Sequence, residues 1–163
     1  MALKTPLRAL TILCVLLAIV GCNSQSRPTE LEADFTAFDL EGNPVKLSDH
    51  LGNTVVLNFW AIWCSPCRME MPVLEAIYQE YRDRKVVILA VNVSESATDI
   101  AAFAQQNHLT FLMLRDTNLD VVKKYGIRSL PTTFFIDREG QVRMSRVGAM
   151  NKAFVAQQID LLL

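Results

Sequence analysis

The stretch VVLNFWAIWCSPCRMEMP, Val55 to Pro72, decides the fold. With Thr54 ahead of it, its first part (TVVLNFW) is apolar and β-branched and follows Gly52-Asn53, which reads as a buried central strand ending at Trp60. From Ser65 to about Tyr81 apolar residues recur at Met71, Leu74, Tyr78 and Tyr81, with Ile77 beside them, the spacing of a helix. Pro72 lies inside it, where the lost backbone donor predicts an interruption and a kink. Between strand and helix sits Trp63-Cys64-Ser65-Pro66-Cys67. A bare C-x-x-C carries little information. One at a strand-to-helix junction, led by tryptophan and holding a proline, points to redox chemistry. Cys64 falls at the helix N-terminus, where free N–H groups and the helix dipole favour a thiolate, so it is expected to attack. Cys67 follows one turn later, within reach of that sulfur, and is expected to resolve the mixed disulfide. Pro66 removes a competing N–H and stiffens the turn. A structural disulfide and half of a zinc site are the other readings. The zinc reading needs two further ligands, and outside this pair the domain offers no other cysteine and only His50 and His108.

Outward from this stretch the chain keeps alternating. FTAFDL and NPVKLSDH flank Glu41-Gly42 and predict a β-hairpin. Lys85 to Val93 predicts a second buried strand, Ala97 to Asn107 a helix with Ile100, Phe103 and Ala104 on one side, and Thr110 to Leu114 a short strand. Leu119 to Tyr125 predicts a helix stopped by Gly126. Thr133 to Ile136 and Gln141 to Arg146 predict two strands joined by the turn Asp137 to Gly140, and Asn151 to Leu162 a closing helix. The alternation implies a mainly parallel sheet covered on both faces, with an antiparallel edge at the last hairpin. Asn92-Val93-Ser94 matches a glycosylation sequon but sits in a strand context and reads as chance. The 163 residues carry 16 basic and 17 acidic side chains, so no basic face for nucleic acid is expected. A composition that is 51% hydrophobic excludes a disordered chain, and four cysteines are too few for a disulfide scaffold.

The N-terminus reads as an address. Lys4 and Arg8 precede an uncharged run from Ala9 to Val20, the right length for a signal-peptide core and too short to span a bilayer. Cys14, inside that run, reads as an apolar filler. Ile19-Val20-Gly21-Cys22 resembles the bacterial lipobox, which implies removal of residues 1–21 and lipidation of Cys22. Residues 22–34, polar and without periodicity, read as a tether of at most about 40 Å, and residues 35–163 as one domain. Expected together are a lipid anchor and a place in the cell envelope, on the extracytoplasmic face of a membrane. An ordinary secretory signal and an uncleaved anchor are the alternatives.

From Phe35 onward the chain resembles thioredoxin-fold proteins of the TlpA/ResA-like branch, extracytoplasmic thiol–disulfide oxidoreductases related to the CcmG/DsbE reductases. VVLNFWAIWCSPCRMEMP and GIRSLPTTFFIDREG (Gly126 to Gly140) carry the resemblance, with the hairpin ahead of the first long strand. It implies a thioredoxin-like α/β fold: a mixed central sheet flanked by helices, with an N-terminal β-hairpin. It implies a cis-proline at Pro131 facing the cysteines, with the backbone of Leu130 open to an extended substrate, although an X-Pro pair alone reads as trans. Glu70 matches the branch's acidic residue three after the second cysteine. There it would raise the thiol pKa values and carry protons to Cys67, unless it is a solvated surface glutamate. Asn58 stands where cytoplasmic thioredoxins keep a buried aspartate, which turns attention to Glu70; a purely structural asparagine fits equally. Trp60 and Trp63 are expected in the core and at the rim of the site. The implied function is reduction of protein disulfides by a monomer without cofactor. Electrons would come from a membrane thiol donor, and apocytochrome c is one substrate. A folding oxidase or isomerase would use the same residues. A copper-assembly chaperone would space its cysteines wider and add a histidine.

Overall fold

The computed structural model describes residues 33–163; the signal segment, Cys14, Cys22 and the tether up to residue 32 lie outside the described residues. Seven strands form one sheet: β1 Thr36–Phe38, β2 Pro44–Lys46, β3 Thr54–Trp60, β4 Val86–Val93, β5 Leu112–Asp116, β6 Thr132–Ile136 and β7 Val142–Val147. The helices are α1 Ser65–Tyr81, α2 Ala97–Gln106, α3 Asp120–Lys124 and α4 Lys152–Asp160. The strand order is β2-β1-β5-β4-β3-β6-β7, so the hairpin β1–β2 caps one edge and β7 forms the other.

The sheet is mixed rather than mainly parallel. Only β3, β4 and β5 run parallel; β6 pairs antiparallel with β3, and β1 with β5. Alternating strands and helices predict parallel neighbours only where each crossover returns the chain to the same end of the sheet. Here the chain leaves α3 and enters β6 from the opposite end, beside β3, and an apolar strand carries no sign of its direction. Every residue of β3 is buried, as a central strand covered on both faces requires. Its side chains alternate between two cores. Val56 and Trp60 face Met71, Leu74 and Ile77 of α1, Ile100 of α2 and Val155 and Ile159 of α4. Val55, Leu57 and Phe59 face Phe35, Leu47 and Val121 on the other side.

Helix α1 runs through Pro72 without interruption. Pro72 and Arg68, whose carbonyl loses its intrahelical partner, both lie on the exposed side, where water can take the bond. β4 starts one residue later than the pattern implies because Lys85 adopts a left-handed backbone, φ 58°, and turns the chain into the strand. β5 starts two residues later than Thr110, which instead donates its N–H to Glu75 Oε2 at 2.7 Å. At the domain's entrance Asp34 Oδ1 accepts from the N–H groups of Phe35 and Ser48, each at 3.0 Å, and the Ala33 carbonyl accepts from the Tyr125 hydroxyl. The chain is thus already fixed to the domain at residue 33.

Candidate active site

The site forms where β3 ends and α1 begins. Cys64 is the N-cap of α1 and Cys67 lies in its first turn, and the two are joined by a disulfide. The Cys64 Sγ accepts from the Cys67 N–H at 3.3 Å, so a free N–H of the helix terminus is aimed at the sulfur. Pro66 occupies the first turn, where a helix needs no N–H, and is exposed. The two sulfurs differ in access: Cys64 is 5% exposed and Cys67 0%. Trp63 is 66% exposed beside them and Met69 of α1 is also exposed, while Trp60 is fully buried against Phe103. The Leu130–Pro131 peptide is cis; Pro131 is buried, and Leu130 packs half-buried on the core cluster that holds both cysteines.

Glu70 is not a surface glutamate. It is 1% exposed and lies on the inner face of α1, one turn after Cys67, in a largely apolar surrounding. Its Oε1 accepts from the Met150 N–H at 2.8 Å and its Oε2 from Asn58 Nδ2 at 3.1 Å. Desolvation outweighs these two bonds and pushes the carboxyl up to about 7 from an ordinary 4.5. Asn58 Nδ2 also donates to Thr133 Oγ1 at 2.8 Å, from the residue opposite it in the β3–β6 register, while its Oδ1 is buried without a partner. Asn58 and Glu70 therefore form one polar network under the cysteines, reaching from the central strand to the loop before α4.

A second carboxylate, Glu95, holds the loop ahead of Cys64, accepting from the N–H of Ile62 at 2.8 and 2.9 Å. Sequence reasoning passed over Glu95, Thr133 and Met150. Met150 lies 80 residues from Glu70, and no local signal connects them. Asn92, in the sequon, is 1% exposed at the end of β4 and ties itself to Glu95, so its side chain is taken up by structure. Among the described residues no three His, Cys, Asp or Glu side chains gather in a metal-ligating group. Among them, too, no helix is long and apolar enough to cross a membrane.

The model of the AhpC/TSA family matches residues 30–145. The thiol–disulfide oxidoreductase ResA of Geobacillus kaustophilus (strain HTA426) is 38% identical over 158 residues, which cover 91% of this chain and 91% of that protein. Among solved structures, a Chlorobium tepidum protein assigned as the thiol:disulfide interchange protein DsbE superposes with a TM-score of 0.73 at 34% identity, covering 79% of this chain and 92% of the other. The pneumococcal exposed lipoprotein thioredoxin Etrx1 from Streptococcus pneumoniae strain TIGR4 gives 0.68 at 32% identity, over 79% and 99%.

Proposed function

We propose that this chain, which belongs to the AhpC/TSA family and is a thiol–disulfide oxidoreductase, works as a reductant of protein disulfides at the outer face of a membrane. In the reduced enzyme the Cys64 thiolate attacks a substrate disulfide, forming a Cys64–substrate disulfide and releasing one substrate thiolate. Cys67 then gives its proton to Glu70 and attacks the Cys64 sulfur. The second substrate thiolate leaves, and the Cys64–Cys67 disulfide remains. Two electrons have passed to the substrate, and a membrane thiol donor returns the enzyme to its dithiol form.

The observation that carries this direction is the buried Glu70 carboxylate one turn from the buried Cys67. A negative charge in a poorly solvated site disfavours thiolates, hence the reduced form, and makes the disulfide harder to reduce. A carboxyl near 7 is also matched to exchanging protons at neutral pH. Trp63, Pro66 and Leu130 form the surface on which the substrate chain lies, with Pro131 buried next to Leu130. Residues 1–21 act as a signal, Cys22 carries the lipid, and the segment from residue 22 tethers the domain, its span shortened from residue 34 to residue 32 by the bonds that hold Ala33 and Asp34. The ResA relative supports this, because an alignment over 91% of the chain takes in part of the signal segment; so does the lipoprotein among the structural neighbours. Apocytochrome c, whose haem-binding cysteines must be reduced before attachment, is the proposed substrate. The reduction potential of the Cys64/Cys67 pair tests the direction. It is expected near that of thioredoxin, about −270 mV, and a value near the roughly −120 mV of a strong periplasmic oxidant would replace this reading with that of a folding oxidase.

A further inference from the structure

We propose that Glu95 is a positioning residue that fixes the loop before Cys64 as a docking edge for polypeptide substrates. The proposal rests on Cys64 being the attacking thiol. Glu95 lies between β4 and α2, far from the cysteines in sequence, yet its carboxylate takes the backbone of two consecutive loop residues. Both oxygens accept from the Ile62 N–H, at 2.9 and 2.8 Å, and Oε1 also accepts from the Trp63 N–H at 3.3 Å. The carboxylate is itself held by the buried Asn92, whose Nδ2 donates to Oε2 at 2.5 Å and whose Oδ1 accepts from the Glu95 N–H at 3.1 Å. Ser94 between them takes a left-handed backbone, φ 76°, which a non-glycine residue adopts only where its surroundings impose it. From the other side Arg68 Nη1, one residue beyond Cys67, donates to the Ile62 carbonyl at 2.7 Å. Residue 62 is thus clamped at both its N–H and its C=O by charged side chains, one from the loop before α2 and one from α1. Such charge-assisted bonds are the stronger kind.

The clamp does not touch either sulfur. The Cys64 Sγ is oriented by the Cys67 N–H inside α1, independently of Glu95. The clamp fixes the backbone that carries Trp63, whose side chain stands largely exposed beside the nucleophile. A large exposed aromatic on a fixed backbone offers contact area without the entropy cost of ordering a mobile loop when a partner binds. A polypeptide has to lie on this edge before its disulfide meets Cys64, whereas a small disulfide needs only the sulfur.

The test compares the reduced full chain with its Glu95→Gln and Glu95→Ala variants, using two uncharged substrates: a disulfide-bonded peptide and bis(2-hydroxyethyl) disulfide. The exchange rate constant with the peptide is expected to fall about tenfold in Glu95→Ala and less in Glu95→Gln, which keeps one acceptor oxygen. With the small disulfide all three proteins stay within about twofold. An unchanged peptide rate overturns the proposal. So does an equal fall with both substrates, or loss of the folded circular dichroism signal in both variants, each of which makes Glu95 a structural residue. Failure of the parent chain to exchange with either substrate would instead count against the thiol-exchange reading itself.

Discussion

With Cys67 replaced by alanine, the protein is expected to accumulate covalent adducts to its substrates, while Cys64→Ala yields none. Either change abolishes catalytic turnover, because neither variant can form the Cys64–Cys67 disulfide. The asymmetry follows from the position of the two sulfurs. Cys64 caps the helix and keeps some access to solvent, whereas Cys67 is fully buried and reaches only its neighbour. Exchange passes through a mixed disulfide on the attacking sulfur, and the resolving thiol destroys it. Removing Cys67 therefore strands the substrate. Expressed with its signal intact and separated on non-reducing gels, Cys67→Ala should carry adducts in the membrane fraction that dithiothreitol releases. Partners containing C-x-x-C-H would support the cytochrome reading, and a broad mixture of secreted disulfide proteins would favour a general oxidoreductase. Adducts on Cys64→Ala in place of Cys67→Ala would reverse attacker and resolver.

The second large effect belongs to Glu70. Its carboxyl is held at about 7 in the folded protein against an ordinary 4.5. The unfolded chain loses this proton first as pH rises, so the native state binds more protons across that interval and stability falls with pH. The contribution is fully present below 4.5 and gone above about 7, a loss of about 3 kcal/mol from this one group. Glu70→Gln cannot ionise and keeps an oxygen for the Met150 N–H. Its stability, measured by denaturant unfolding of the disulfide form at pH 4.5 and pH 8, is therefore expected to gain about 3 kcal/mol relative to the parent between the two conditions. Taking the difference cancels His50, whose pKa burial lowers and whose contribution runs the opposite way in both proteins. The same variant should also lose the step near pH 7 in its exchange rate, since Cys67 no longer has its proton acceptor. A constant difference in stability, with overlaid rate curves, would place Glu70 outside both the linkage and the proton path.

Much of this architecture is written locally. The all-apolar run of β3, the cysteine pair at the strand-to-helix junction and Gly126 behind α3 each act within a few residues, and each can be read there. The direction of β6 cannot, because pairing beside β3 depends on the whole sheet. Glu70 shows the boundary well. Its spacing from Cys67 gives the helix face, but the same spacing suits a solvated glutamate. What buries it is α4 and the loop before it, packed over α1 some 80 residues later. Glu95 was invisible for the same reason: a carboxylate that serves as backbone acceptor for a loop 33 residues upstream leaves no periodic trace. Pro72 does not interrupt α1, because the Arg68 carbonyl it frees lies on the exposed side, where water can take the bond, whereas a proline read in isolation marks only the lost donor.

Attack by Cys64, activated by the helix terminus, is the step on which the exchange cycle turns. The direct measurement is the rate of iodoacetamide alkylation of each cysteine in the reduced protein against pH, read by peptide mass spectrometry. Cys64 should label first at neutral pH, at least tenfold faster than Cys67, with a midpoint below that of Cys67. Faster labelling of Cys67, or equal rates with both midpoints at the roughly 8.5 of a free cysteine, would contradict it.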